Sequence, residues 1–270
     1  MVDPVKGRLT ALFMLIQSLL AFGAALTGLL HPSIYWAAVK TGVFAESLLA
    51  GTLAQDIITI PAAIILALMS MQFLSRQRYK SFIIMLGLSA YFFYAYGLFV
   101  IGGNYTILYP LYLLIFALAV YSLIFGLNSF NPAAVRQTHL PAGMRKTIAA
   151  YLLLIIVLFV PLWLFILIPG ATRQIRPDAY AVFVLDLAVV MPALAVTAFM
   201  LWRHIPFGNI LAGVALLKSL TLLLSVAVGT AVAPIYGLPL NYPMLGIYCL
   251  LVLFSLVLGT FYMLNLLRRC

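Results

Sequence analysis

Two aspartates stand inside apolar stretches of the sequence, each a few residues before a proline. Asp56 precedes Pro61 in "AQDIITIP", and Asp186 precedes Pro192 in "LDLAVVMP". A proline inside a helix leaves the carbonyl four residues earlier without its hydrogen bond, so each stretch offers a carboxylate, a freed carbonyl and a hinge. Oxygens at a break in a helix can hold a cation or pass on a proton.

Neighbouring polar side chains could support either aspartate. Gln55 precedes Asp56, and Tyr91 and Tyr94 lie three residues apart, on one face of a helix. Because buried tyrosine hydroxyls need partners, we expect Tyr91 and Tyr94 to donate to Asp56. The same hydrogen bonds would arise if the aspartates only fixed helix packing, so a functional and a structural interpretation both stand.

Lys218, in "ALLKSLTLL", is the one basic residue buried within a predicted span rather than at its end. Its long side chain could extend toward the N-terminal end of its helix and reach water there. Alternatively, it could pair with Asp186 or contact a substrate. Charged residues within a span are costly to insert and therefore mark candidate sites for ions or substrates.

Composition indicates the elements that must position these residues. The chain has 270 residues, of which 66% are hydrophobic, and its mean hydropathy is +1.19. Crossing a bilayer takes roughly 20 apolar residues per helix, and the apolar runs are continuous rather than alternating. The sequence therefore predicts an all-α integral membrane protein, embedded in a lipid bilayer. Its eight predicted transmembrane helices are 8–30, 47–74, 81–103, 107–128, 147–169, 179–202, 209–234 and 243–267.

The basic residues predict an orientation. One side of the predicted bundle carries Lys6, Arg8, Arg76, Arg78, Lys80, Arg136, Arg145, Lys146, Arg203, Arg268 and Arg269. The other side carries only Lys40, Arg173 and Arg176. This asymmetry predicts a cell-membrane protein with both termini in the cytoplasm. It also explains the net charge of +10 without a nucleic-acid partner.

The two halves of the sequence resemble each other. A polar loop, 129–146, separates a first set of four spans (1–128) from a second set (147–270). Tyr-Pro begins the last span of both halves, and an Asp-Pro pair stands in the second span of both. The order of these matches predicts two parallel four-helix repeats, related by an axis along the membrane normal.

The outer loops offer a second kind of site. The segment 31–46 contains Tyr35 and Trp36 and is long enough for an interfacial helix. Arg173 and Arg176 lie in the corresponding loop of the second half. These loops could cap a cavity and attract an anion or a lipid headgroup, or they could simply anchor the protein at the membrane interface.

Other chemistry has little support in the sequence. His31, His139 and His204 lie at loops or helix ends and form no ligand cluster, so we expect no metal. Cys249 and Cys270 form no CxxC pair. A nucleophile elbow, a metalloprotease motif, a P-loop and a dinucleotide fingerprint are all absent, which favours a role that is not enzymatic and needs no cofactor.

Three classes of function remain after these exclusions. The leading hypothesis is a small proton- or cation-coupled transporter or channel-like protein that uses Asp56 and Asp186. Near the repeat axis these aspartates would form either two pseudo-equivalent sites or one central pair. The alternative is a lipid-active enzyme or lipid-binding module, or a membrane subunit or sensor without catalysis. The sequence predicts neither the substrate nor the oligomeric state.

Overall fold

The structure, a computed structural model, describes residues 1–268. Arg269, which the sequence analysis placed on the basic side of the bundle, and the thiol of Cys270 therefore lie outside the described residues. It contains eight helical spans that are long and apolar enough to cross a membrane. The first five spans each contain one unbroken α-helix: α1 (Pro4–Leu30), α3 (Leu49–Arg76), α4 (Tyr79–Gly102), α5 (Tyr109–Leu127) and α7 (Ala142–Thr172).

The sixth and seventh spans are more irregular than the eighth. The sixth span joins α8 (Tyr180–Leu185), a π-helical turn (Asp186–Val190) and α9 (Met191–Trp202). The seventh is α10 (Phe207–Val232), which continues as a 3₁₀ turn, and the eighth is α11 (Tyr242–Asn265).

Short elements connect the spans. Helix α2 (Ser33–Lys40) follows α1 and leads to a 3₁₀ turn, Glu46–Leu48, at the start of α3. Helix α6 (Pro132–Arg136) and strand β1 (Thr138–His139) lie in the central loop. Strand β2 (Leu267–Arg268) pairs with β1 in antiparallel fashion.

Side-chain caps fix where several helices begin. The Asp3 carboxylate accepts hydrogen bonds from the backbone N–H groups of Val5 and Lys6 at the start of α1. The Asn241 side chain accepts from the N–H of Met244 at the start of α11. These bonds satisfy N–H groups that have no partner within the helix.

Helices α4 and α10 cross at the centre of the bundle, and they are the most enclosed spans. Helices α1, α3 and α5 pack on one side of this pair, and α7, α9 and α11 lie on the other. A Cβ atom at Gly87 would lie 2.7 Å from the Cβ of Leu217, so the absence of a side chain at Gly87 allows the two central helices to approach each other.

One end of the bundle collects the chain termini and the central loop. Val2 forms a β-bridge with Phe130, and β2 pairs with β1. The Lys80 ammonium donates to the carbonyl of Met263 over 2.6 Å. We call this the basic end (residues 1–8, 76–80, 128–146, 203–207 and 266–268), because the basic residues predicted to share one side, as far as the structure describes them, lie there. The opposite end (residues 31–48, 103–108, 173–179 and 233–241) is the far end.

Several predicted boundaries were wrong at the basic end. Helix α1 begins at Pro4 rather than at residue 8, and α7 begins at Ala142 rather than at 147. The predicted linker 129–146 therefore includes α6, β1 and the first residues of α7. Hydropathy detects only the apolar part of a helix, whereas a helix can continue into polar sequence such as "AGMRKT".

The crossing of α4 and α10 yields a test of the fold. We expect Gly87→Ala to lower the stability of the folded protein by about 1–3 kcal/mol, because the Leu217 Cβ is fixed by its own backbone and cannot rotate away. Gly23→Ala, in α1, is the matched control, since a Cβ there meets nothing within 4 Å. The control should be neutral or gain roughly 0.5–1 kcal/mol from helix propensity. Thermal unfolding in detergent measures the stability of both variants. Equal unfolding midpoints for Gly87→Ala and Gly23→Ala would contradict the close packing of α4 against α10.

Candidate functional site

A cavity of about 440 Å³ extends from the far end into the interior of the bundle. Exposed residues Ser47, Asp178 and Pro239 lie on its rim, and Lys218 lies in its interior wall, about 20 Å along α10 from the far end of that helix. Its walls come from α3, α4, α7, the sixth span, α10 and α11, and most of the lining side chains are apolar. The cavity is within the size range of small-molecule sites, roughly 300–1,000 Å³.

Asp186 lies on the cavity wall, where its span departs from α-helical geometry. The π-helical turn Asp186–Val190 ends with the N–H of Met191 donating to the carbonyl of Asp186. Pro192 follows in the first turn of α9 and has no N–H to donate. The wider π-helical turn compensates for the N–H group that Pro192 lacks. The helix is therefore irregular at the position of the Asp186 carboxylate.

Only one oxygen of the Asp186 side chain has a hydrogen bond. The indole Nε1 of Trp163, on α7, donates to Oδ2 over 2.8 Å. Oδ1 is buried and has no hydrogen-bond partner, although Asp186 as a whole is only 6% exposed. A buried carboxylate oxygen without a hydrogen-bond donor costs stability. At this site Oδ1 of Asp186 is therefore a hydrogen-bond acceptor whose capacity is not used.

Lys218 lies on the same cavity wall and is only 7% exposed. Its ammonium is 4.4 Å from the centre of the Tyr94 ring, a cation–π contact. The Tyr94 side chain also lies beside the Asp186 carboxyl group, and Lys218 is close enough to attract Asp186 electrostatically. Lys218 therefore does not extend to the basic end; it contributes a buried positive charge to the cavity.

Asp56 occupies a separate compartment outside the cavity lining. The Tyr35 hydroxyl, from α2, donates to Oδ2 of Asp56 over 2.7 Å, and the Tyr112 hydroxyl lies 3.3 Å from that of Tyr35. A Cβ atom at Gly28 would lie 2.3 Å from the same carboxylate oxygen. Gly28 thus leaves the space in α1 that this contact needs.

Tyr35 remains the hydrogen-bond donor in this contact. Burial, and then the negative charge of Asp56, raise the pKa of the Tyr35 phenol well above its usual range. The phenol therefore stays protonated at any physiological pH. Its bond to Asp56 holds α2 against α1 and α3.

The structure does not bring Asp56 and Asp186 together, and their hydrogen-bonding partners differ. The expectation that Tyr91 and Tyr94 donate to Asp56 was wrong, because Tyr35 takes that role. Tyr91 instead lies within hydrogen-bond distance of the Thr59 hydroxyl, at 3.1 Å.

Gln55 and Pro61 have different positions on α3. Gln55 lines the cavity, and its amide donates to the carbonyl of Ala95 over 3.1 Å. Consecutive residues on a helix point about 100° apart, so Asp56 faces away from the cavity that Gln55 borders. Pro61 lies within α3, which remains α-helical from Leu49 to Arg76.

The outer-loop arginines lie at the far end but not on the cavity wall. Arg173 is exposed, and the exposed Arg176 guanidinium lies 4.7 Å from the centre of the Tyr180 ring. The rim of the cavity is fixed by another residue of this loop, Asp178, which accepts a hydrogen bond from the Ser47 hydroxyl over 2.8 Å.

Sequence reasoning missed Trp163 and assigned Tyr35 only to the outer segment. A signal for Trp163 existed, since a tryptophan deep in an apolar span needs an acceptor for its indole N–H. Tyr35 gave no such signal, because aromatic residues in an outer loop are typical of interface anchors.

Within residues 1–268 no group of three or more His, Cys, Asp or Glu side chains could hold a metal ion. Comparison of the chain with family models, with curated proteins and with solved structures finds no match. The geometry of the cavity is therefore the basis for assigning a function.

Two conservative substitutions test the compartment around Asp56. Tyr35→Phe removes the donor to a buried carboxylate, and we expect it to lower stability by about 1.5–3 kcal/mol. Tyr112→Phe is the matched control: it removes the longer contact of 3.3 Å with Tyr35 and leaves the bond to Asp56 intact. The Tm of Tyr35→Phe in detergent should be clearly lower than that of Tyr112→Phe. The reverse order would show that Tyr35 does not stabilise Asp56.

Proposed function

We propose that this protein is a multi-pass membrane transporter that takes a small solute from the cavity and uses Asp186 and Lys218 as its charged site. The observation that carries the proposal is the cavity itself, which opens at the far end and has both charged side chains on its wall. A proton or a cation is the proposed coupling ion, since Asp186 offers a carboxylate oxygen without a partner beside an irregular helix.

The outer surface of the bundle supports insertion in a membrane. Large apolar side chains on several spans are more than half exposed, among them Leu19, Val157, Val196 and Leu253. A soluble protein rarely exposes so much contiguous apolar surface, whereas lipid covers it without cost. The clustering of Lys and Arg at the basic end favours a cytoplasmic location for that end and both termini in a cell membrane.

The packing at the centre also supports the proposed duplication. Gly87 in α4 and Gly213 in α10 each lie in the third span of their half, in "MLG" and "LAG" respectively. A Cβ at Gly213 would lie 2.6 Å from Ile83 of α4, and one at Gly87 would meet Leu217 of α10. In this proposal the axis between the two four-helix repeats, 1–128 and 147–270, runs between α4 and α10.

The proposed duplication leads to a division of roles between the two aspartates. Asp186 lines the cavity with one oxygen unpartnered, while Asp56 is bonded to Tyr35 and enclosed. We therefore assign the charge site of transport to Asp186 and a structural role to Asp56. The sequence left open whether the two aspartates form equivalent sites or one central pair, and this assignment instead gives them different roles.

Cysteine labelling tests whether water enters the cavity from the far end. In a background with Cys249 and Cys270 replaced by serine, we expect Ser219→Cys to react with a water-soluble methanethiosulfonate reagent applied at the far end. Ser219 lines the cavity, whereas Ser122, on α5, is fully buried and does not line it. Ser122→Cys should therefore remain unlabelled over the same time. Failure of Ser219→Cys to react in a folded protein would argue against an open cavity.

Proteoliposomes test the transport proposal directly. We expect the wild-type protein to move protons under an imposed potential or an opposing Na⁺ gradient, as detected by a pH-sensitive dye inside the vesicles. Asp186→Asn should reduce the flux to the level of empty vesicles, because the neutral amide cannot exchange a proton.

Asp56→Asn is the matched control for that experiment, since it makes the same chemical change outside the cavity lining. It should retain flux in protein that remains folded. Flux abolished by Asp56→Asn and preserved by Asp186→Asn would reverse the assigned roles. No flux from folded wild-type protein under either gradient would reject solute-independent proton movement through Asp186.

Lipid recognition is the second candidate function. The mostly apolar lining of the cavity favours it, because an acyl chain could occupy such walls while the headgroup contacts the charged pair. In this alternative Arg173 and Arg176, both exposed at the far end, would meet neighbouring headgroups.

A further inference from the structure

The cavity presents two opposite charges that are not fully satisfied by the protein. Asp186 Oδ1 has no hydrogen-bond donor, and the Lys218 ammonium lies over an aromatic ring. Both side chains are more than nine-tenths buried and line the same cavity. A ligand entering this site meets an acceptor that needs a donor and a cation that needs an anion.

We propose that the cavity binds a small zwitterion with an apolar body, and this inference rests on the proposed function because it names the solute of that site. The ammonium group of the ligand donates to Asp186 Oδ1, and its anionic group accepts from Lys218. The apolar remainder lies against the rest of the wall.

Charge balance favours a zwitterion over a simple ion. Asp186 and Lys218 together carry no net charge, so a bound zwitterion leaves the enclosed site neutral. A cation alone would add an uncompensated positive charge near Lys218, and an anion alone would add a negative charge near Asp186. Uncompensated charge in a site with little water is costly.

The walls specify the apolar body. Phe159 and Tyr248 stack with ring centroids 6.2 Å apart, and Trp163 lies 5.7 Å from Phe159. All three aromatic side chains line the cavity beside Asp186. An aliphatic or aromatic group of the ligand would therefore exchange water for aromatic surface while its charged end meets Asp186 and Lys218.

Two sources of ligand share this chemistry. A free apolar amino acid carries an ammonium group and a carboxylate, and an ethanolamine phospholipid carries an ammonium group and a phosphate. The experiment therefore uses L-phenylalanine and dihexanoylphosphatidylethanolamine as separate probes. Binding of the first indicates a soluble solute and binding of the second a lipid headgroup; either supports the proposal.

The decisive measurement is calorimetric titration of the full-length protein in detergent with three matched compounds. L-phenylalanine carries both charges, 2-phenylethylamine carries only the positive charge, and 3-phenylpropanoate carries only the negative charge. We expect the dissociation constant of each single-charge compound to be at least about tenfold higher than that of whichever zwitterion binds. The reason is that a single-charge compound leaves one buried protein charge unpaired.

Two variants should invert this preference, which general damage to the fold would not do. Lys218→Met leaves Asp186 as the only charge, so 2-phenylethylamine should become the best ligand. Asp186→Asn leaves Lys218, so 3-phenylpropanoate should become the best. Asp56→Asn lies outside the cavity lining and should retain the wild-type order.

The possible outcomes separate this inference from the proposed function. If neither zwitterion binds the wild-type protein, or if a single-charge compound binds as tightly as the zwitterion, the inference is overturned. Zwitterion binding without its uptake into proteoliposomes would retain the ligand class and reject transport. Uptake of 2-phenylethylamine alone would retain transport and reject the zwitterion.

Discussion

A carboxylate enclosed by apolar helices must receive hydrogen bonds or an opposite charge, and this requirement organises much of the bundle. Asp56 meets it through the hydroxyl of Tyr35, on helix α2 at the far end. Asp186 meets it through Trp163 at one oxygen and through the nearby charge of Lys218, while its other oxygen has no hydrogen bond. The first arrangement closes a compartment, and the second leaves a polar position open to a cavity.

The difference between the two compartments follows from the helices that surround them. Around Asp56, Gly28 permits α1 to approach the carboxylate, so that little space remains. Around Asp186 the chain widens into a π-helical turn before Pro192, and the cavity separates the sixth span from α3. A helix irregularity beside an incompletely bonded carboxylate is typical of functional positions, because regular packing alone would not select it.

The centre of the bundle provides the rigid support for this site. Helices α4 and α10 contribute Tyr94 and Lys218 to the cavity wall, and the two helices contact each other closely at Gly87. The interior also holds polar side chains in pairs, such as the Ser89 hydroxyl that donates to the Gln17 side chain over 3.0 Å. Such bonds between helices favour one register among spans whose apolar surfaces would pack in many ways.

Hydropathy was sufficient to predict the eight spans, and the basic residues predicted which helix ends share one end of the bundle. Both follow from local composition, because each span needs a run of apolar residues of a given length. Asp56, Asp186 and Lys218 could likewise be selected as candidates, since ionisable residues are rare in such runs.

Only the tertiary structure decided which of these residues meet. Gln55 borders the cavity while Asp56, the next residue, faces α1 and Tyr35; Lys218 lies on the wall that holds Asp186. These facts depend on the rotation of each helix about its own axis. A helix that is apolar on every side has no polar face to fix that rotation, so the sequence of a single span cannot predict it; the contacts between spans determine it.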